Sequence, residues 1–326
     1  MYNVGIIGVG KLGNFHCRNL SQMKEARLIG VNDSDAERMA EISEAYHCKA
    51  FDTPEALIDA VDVVGIIVPT THHLRIARMA IEAQKPIFVE KPIAASVAEA
   101  EEMVNLAEKH HIPLQVGHIE RFNPAIQALY PFKFKPMFIE SHRLSPFNPR
   151  GTDVAVILDL MIHDIDIILS LVKSDLKDIR ANGVAVVSDQ ADIANARLEF
   201  ESGCVANVTA SRISQRKMRK MRIFQPDSYI SIDFFQRLTE IYRITEEDHP
   251  AKAAIELGDI KKGKHQRHII YEKPEPPEVD AMQSEWRAFF SALENKQEPV
   301  VSGRDGLKAL QVASCISDII DGKKGD

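Results

Sequence analysis

At 326 residues the chain is longer than one typical hydrophobic core and calls for two domains. Its 45% apolar and 27% charged residues are the composition of an ordinary folded enzyme, and a formal net charge of -7 argues against a general nucleic-acid binder, which would carry a basic face. The first apolar stretch, 4–9, is short, broken by glycine and lacks a basic leader; no run approaches the ~18 apolar residues of a membrane span; and Cys17, Cys48, Cys204 and Cys315 form no CxxC pair, so the expectation is a cytoplasmic protein without a disulfide framework, a zinc knuckle or a membrane partner.

In chain order, residues 3–8 are read as a strand, 11–23 as a helix, 26–32 as a strand and 35–46 as a helix. The β-branched run 61–68 is long enough for a central strand. A helix follows near 74–84, then a short strand at 86–90, a helix at 96–110 and a strand at 113–117. Such alternation predicts an α/β domain, a doubly wound parallel sheet of the Rossmann kind, over residues 1–120. Unbroken apolar runs such as 63–68 suit strands buried on both faces.

After about residue 120 the pattern changes. One strong helix is expected at 153–172, then strands at 179–187, 191–200, 205–212, 218–224 and 229–235. Val205, Asn207 and Thr209 alternate with Ala206, Val208 and Ala210, and Gly203 sits in a turn between two of these runs, as a hairpin requires. Residues 249–266 are polar, include Gly258 and Gly263, and are read as a long mobile loop. Helices at 281–295 and 303–320 close the chain. Residues 121–326 are therefore expected to form an α+β domain with a large, mostly antiparallel, open-faced sheet, used for substrate binding and oligomerisation.

The first strand ends in Gly8-Val9-Gly10-Lys11-Leu12-Gly13, a GxGxxG between a strand and a helix, which is the context dinucleotide binding needs. Gly8 permits the tight turn, Gly10 lets a pyrophosphate approach the backbone, and Gly13 lets the helix pack closely on the strand. The free N–H groups and positive dipole end of the helix then face the phosphates. Asp33 lies 20 residues after Gly13 at the end of the second strand. A carboxylate there accepts hydrogen bonds from ribose hydroxyls and repels a 2′-phosphate, which favours NAD over NADP. The loop Pro69-Thr70-Thr71-His72-His73 follows the central strand and should border the cofactor. Its adjacent histidines make a poor chelating pair, so no metal is expected.

Phe88-Val89-Glu90-Lys91-Pro92 resembles the glucose–fructose oxidoreductase/inositol dehydrogenase/MocA family, in which a Glu-Lys-Pro tripeptide follows the fifth Rossmann strand. Pro69, four residues before His73, matches that family's loop after the fourth strand. Asp159-Leu160-Met161-Ile162-His163-Asp164-Ile165-Asp166 matches its second domain. Within the family, Val116-Gly117-His118-Ile119-Glu120-Arg121-Phe122-Asn123-Pro124 and Pro149-Arg150-Gly151-Thr152-Asp153 resemble the branch that oxidises the 3-hydroxyl of UDP-N-acetylhexosamines. The resemblance implies a sugar dehydrogenase with Glu90 and Lys91 beside the cofactor.

The 153–172 helix carries apolar residues round most of its circumference, which marks a buried helix. Asp159, His163, Asp166 and Ser170 fall at i, i+4, i+7 and i+11 and make one polar stripe on it. Such groups need partners, and a shared polar cleft supplies them. Alcohol oxidation sends a hydride to the nicotinamide and a proton to a base. The ordinary pKa of histidine, ~6.5, suits that transfer, so His163 is the candidate base, and Asp159, one turn earlier, is the candidate to orient the imidazole or raise its pKa. Lys91, at the end of a sheet strand, is the candidate hydrogen-bond donor to the reacting oxygen. Lys91 is also an alternative base if its pKa is depressed, and the residues leave that choice open.

A UDP-sugar would need cations for its pyrophosphate, and Arg121, Arg150, Arg212 and the cluster Arg216-Lys217-Met218-Arg219-Lys220 are candidates. The cluster is more often a charged edge strand that discourages aggregation. His118 and Asn123 join Lys91, Asp159 and His163 as candidate sugar contacts. A sheet with helices on one face leaves the other to be covered, which predicts a homodimer or homotetramer, as members of the resembled family form. The leading expectation is oxidation of UDP-N-acetylglucosamine at its 3-hydroxyl for surface polysaccharide or lipid A amino sugars. A PLP aminotransferase would take the keto product. An inositol or free-sugar dehydrogenase is the enzymatic alternative, and a non-catalytic NAD-binding regulator is the alternative of another class.

Overall fold

The structure, a computed structural model, describes residues 1–148, 154–245, 255–262 and 265–323. By contact the chain divides into two compact units, 1–122 with 279–311, and 123–278 with 312–326. No helix among the described residues is long and apolar enough to cross a membrane.

The first unit opens with β1 (Tyr2–Ile7), α1 (Lys11–Ser21), β2 (Ala26–Asn32), α2 (Ala36–Tyr46), β3 (Lys49–Ala50) and α3 (Pro54–Asp59). It continues with β4 (Val63–Ile66), α4 (His73–Glu82), β5 (Ile87–Glu90), α5 (Val97–Lys109) and β6 (Leu114–Gly117). The six strands are parallel, in the order β3-β2-β1-β4-β5-β6. This is the Rossmann order, whose switch point lies between β1 and β4. β4, β5 and β6 are buried at every residue, which is why their sequences run apolar without alternation. Asp35, Thr53 and Ser96 cap α2, α3 and α5 through their side chains, which sets those helix starts.

The second unit holds α6 (Pro124–Gln127), β7 (Phe138–Leu144), α7 (Ile162–Leu171), β8 (Leu176–Val184), β9 (Ile193–Phe200) and β10 (Val205–Ser211). Then come β11 (Met218–Phe224), β12 (Ser228–Asp233), β13 (Leu238–Thr245), β14 (Ile255–Lys262) and β15 (His265–Glu272). They form one nine-stranded sheet in the order β14-β15-β13-β12-β11-β7-β10-β9-β8, antiparallel except for the β7–β10 pair. Ala206, Val208 and Ala210 are buried and alternate as expected. Gly203, at φ +83°, turns the β9–β10 hairpin. On the opposite face five rings run across neighbouring strands: Phe138, Phe224, Tyr229, Tyr242 and Tyr271, with successive centroids 5.8, 5.0, 5.7 and 5.1 Å apart.

Four expectations need correction. Residues 255–262 and 265–272 pair as a hairpin where a long loop was expected over 249–266, because β14 and β15 gain ladder hydrogen bonds that outweigh their polar composition. Residues 249–254, 263 and 264 lie outside the described residues. The 216–220 cluster does not start an edge strand: β11 lies between β7 and β12. The expected helix 153–172 is a five-residue π-helical turn, Ile157–Met161, followed by α7; Asp153 lies outside the described residues.

The last correction concerns the chain's return. After the second sheet, α8 (Ala281–Asn295) packs into the first unit, and α9 (Gly303–Ile320) follows. The expectation had kept all of 121–326 in one domain. Trp286, Phe289 and Phe290 of α8 belong to the same buried cluster as Val4, Ile6, Val63 and Phe88 of the parallel sheet. Each phenylalanine so buried stabilises the fold by roughly 1.5–3 kcal/mol. Gly65 of β4 makes the room, since a Cβ there would lie 2.5 Å from Ile6 Cδ1 and 3.3 Å from Trp286.

Candidate active site

The glycine loop bears out the steric argument position by position. Gly8 has φ +92°, and a Cβ would lie 2.4 Å from the Ile67 carbonyl oxygen. At Gly13 a Cβ would lie 2.0 Å from the Gly8 carbonyl oxygen, so α1 can approach β1 only with glycine there. Above Gly10 there is open space for 4 Å. No side chain caps α1, and Lys11 and Leu12 are exposed in its first turn. This is an anion cradle with room for a pyrophosphate. Asp33 is half-buried; its Oδ2 accepts the Val9 N–H at 2.6 Å and its Oδ1 the Asp35 N–H at 2.9 Å. A carboxylate has about four lone-pair positions, so capacity remains for ribose hydroxyls. Arg38 Nε donates to the Val9 carbonyl at 3.1 Å, and its Nη1 pairs with Glu41.

Pro69 is exposed and Thr70 half-buried, the latter opening a 3-10 turn, Thr70–His72, at the end of the β4 loop. His73 departs from expectation. It is 1% exposed, with Nε2 3.0 Å from the Val68 carbonyl and Nδ1 3.1 and 3.2 Å from those of Pro92 and Ile93. Burial pushes its pKa down, against the carbonyls, which favour the charged form. The ring ties two loops together and does not point outward as a cofactor contact. Glu90, also expected beside the cofactor, is 7% exposed: Oε1 faces His16 Nε2 at 2.9 Å and Oε2 accepts the Lys91 N–H at 3.0 Å. Lys91 is half-buried at the end of β5, and its bond to Pro92 is cis. Gly8, Gly10, Gly13, Asp33, Thr70 and Lys91 thus gather at the carboxyl edge of one parallel sheet.

The expected substrate contacts are divided between the two units. His118 is buried just after β6. Arg121 faces Asp305 Oδ1 at 3.9 Å. Asn123 caps α6 through the Ala125 N–H and donates to the Phe234 carbonyl at 3.2 Å, so its amide serves the second unit's fold. Arg212, 6% exposed, lies 3.3 Å from Asp192 Oδ1 and donates to the Ala191 carbonyl, a structural pairing and not a surface phosphate clamp. Lys220 of the basic cluster pairs with Asp233 at 3.3 Å. Arg150 and the surrounding 149–153 motif lie outside the described residues.

In the second unit Asp159 sits in the π turn and His163 in the first turn of α7, both half-buried. Such wide turns recur at functional positions of helices. The turn breaks the stripe drawn on a continuous 3.6-residue pitch. Asp166 is 1% exposed, and the Ser170 hydroxyl donates back to the Ile167 carbonyl. Asp164, next to His163, makes a two-pronged pair with Arg143 of β7, at 2.7 Å (Nε–Oδ2) and 3.1 Å (Nη2–Oδ1), both side chains 2% exposed. That pair fixes the turn of α7 that carries His163.

Sequence reading missed His16, Trp286 and Arg143. A signal existed for the first: His16, with Gly13, Cys17 and Leu20, falls on the buried face of α1, and a buried imidazole needs polar partners.

Comparison with known proteins follows the same division. Residues 2–118 match the family model described as oxidoreductase family, NAD-binding Rossmann fold, and residues 130–227 match that of the GFO/IDH/MocA C-terminal domain. A UDP-N-acetylglucosamine 3-dehydrogenase of Acidithiobacillus ferrooxidans is 43% identical over 239 residues, 73% of this chain and 76% of that protein. A solved structure of a UDP-N-acetylglucosamine 3-dehydrogenase from that organism superposes with a TM-score of 0.87, at 35% identity, over 99% of this chain and 98% of the other. A myo-inositol 2-dehydrogenase of Thermotoga maritima is 24% identical, over 98% of this chain and 97% of that protein.

Proposed function

The chain belongs to the GFO/IDH/MocA family of oxidoreductases, and on that premise we propose that it oxidises the 3-hydroxyl of UDP-N-acetylglucosamine to a ketone with NAD as hydride acceptor. The observation that carries the reading is the likeness to the Acidithiobacillus enzyme, 43% identical over 73% of this chain, where the inositol enzyme shares 24% over 98%.

NAD, when bound, supplies the acceptor for the hydride. The residues do the rest. Gly8, Gly10 and the open end of α1 take the pyrophosphate, and Asp33 takes the adenosine ribose. A 2′-phosphate would meet the Asp33 carboxylate, and Arg38 is already engaged with Val9 and Glu41, which favours NAD over NADP. His163 accepts the hydroxyl proton, with Asp159 orienting it. Lys91 donates to the oxygen on which negative charge develops. The test is NADH formation from UDP-N-acetylglucosamine with an aminotransferase present to consume the ketone, beside NADP, inositol and free-sugar controls. Turnover with NAD and the UDP-sugar alone supports the reading; turnover on a free polyol instead moves the chain to the inositol branch.

The row of five rings on the second sheet's open face supports a second copy of this chain as its cover, giving a homodimer or homotetramer. Light scattering should give twice or four times the chain mass, and Phe224→Arg should lower it. A monomeric wild type removes the assembly.

A further inference from the structure

A chain of hydrogen bonds in the first unit, buried as far as Glu90, runs from the returning helix α8 to the residue before Pro92. It starts at Trp286, the only tryptophan in the sequence, whose Nε1–H donates to His16 Nδ1 at 3.0 Å. An indole nitrogen can only donate, so Nδ1 is the acceptor and Nε2 carries the hydrogen. That hydrogen points at Glu90 Oε1, 2.9 Å away, and Glu90 Oε2 accepts the Lys91 backbone N–H at 3.0 Å. His16 and Trp286 are wholly buried. Phe88 packs on both rings, stacked on the indole at 4.4 Å and edge-on to the imidazole at 5.3 Å, so neither has slack. Gly117 of β6 leaves space for the carboxylate: a Cβ there would lie 2.9–3.0 Å from its atoms.

We infer that His16 is a positioning residue for the reaction, acting through Glu90 to hold the Lys91 backbone at the carboxyl edge of the sheet. Packing alone does not call for this chemistry, since an apolar side chain fills a core at less desolvation cost than an imidazole and a carboxylate. The bonds also have a direction. The indole sets which imidazole nitrogen donates, the imidazole sets one carboxylate oxygen, and the other oxygen holds the N–H of the residue that carries the reacting lysine. The inference rests on the role proposed for Lys91, and a small displacement of such a group costs up to about a hundredfold in rate.

Two amides divide the imidazole's two bonds. Gln in place of His16 puts a donor near the Nε2 position; Asn puts an acceptor near Nδ1 and leaves Glu90 without its donor. His16→Asn should lower kcat about 10- to 100-fold and speed amide exchange at Lys91 at least about tenfold. His16→Gln should recover most of both. The Km for the sugar and the Kd for NAD should move less than about threefold in either. The lone indole N–H resonance should keep its hydrogen-bonded shift in His16→Asn and lose it in His16→Gln. Glu90→Gln, with one oxygen for two donors, should repeat the kcat loss and serves if His16→Asn does not fold. Equal loss in the two His16 variants, a loss confined to Km or NAD affinity, or unchanged Lys91 exchange in His16→Asn overturns the inference. If the wild type is silent on the UDP-sugar, the proposed substrate fails, while Lys91 exchange still decides whether the relay holds that backbone.

Discussion

Replacing His163 by alanine should lower kcat by about 10²- to 10⁴-fold, the usual contribution of a general base, and leave NAD affinity within about twofold. The two effects separate because the glycine cradle and Asp33 belong to the first unit and His163 to the second. His163 is half-buried in the first turn of α7, so alanine keeps the helix. Calorimetry of NAD binding beside steady-state kinetics reads both. Lys91→Met gives the complement: it should also lower kcat, but through loss of charge stabilisation. Turnover in His163→Ala at more than a tenth of the wild-type rate would give the base to Lys91.

Replacing Arg143 by alanine should destabilise the protein by about 3–5 kcal/mol, the cost of stranding a buried charge. The Arg143–Asp164 pair is two-pronged and 2% exposed on each side, and the guanidinium also lies over the Phe234 ring, 5.9 Å from its centroid. The variant leaves Asp164 without its partner, one residue from His163, so kcat should fall with stability. Arg143→Met with Asp164→Leu removes both charges together and should cost much less than the single change. Urea unfolding of the two variants measures the difference. Equal losses would show that the lost volume, and not the stranded charge, sets the cost.

Much of the first unit was legible because its signals are local. Strand, glycine loop and helix follow one another at fixed spacing, and each glycine has a steric duty that the structure shows at Gly8 and Gly13. Asp33 was legible for the same reason. The two-residue strand β3 and the short helix α3 were too brief for periodicity to register. β7 and β13 were missed because their alternating polar residues look like loop when their neighbours in the sheet are unknown.

Side-chain direction was the least legible feature. His73, Glu90, Asn123 and Arg212 stand where spacing placed them, but each is committed to partners within its own unit. Spacing locates a residue along the chain and says nothing of which carbonyl or carboxylate is near it. The return of α8 was hidden likewise: its amphipathic pattern predicts a buried face but not that Trp286 meets His16, 270 positions earlier. The helix of Asp159 and His163 was visible as an apolar segment with polar insertions, while its π turn has no periodic signature of its own.

The central claim is tested most directly with UDP-N-acetylglucosamine carrying deuterium at C3 of the sugar ring. Incubation with NAD and a coupled aminotransferase should move the deuterium onto the reduced nicotinamide and slow turnover relative to the unlabelled substrate. Unlabelled NADH from the same substrate would contradict oxidation at C3. No NADH at all, with turnover on inositol or a free sugar, would contradict the nucleotide-sugar assignment.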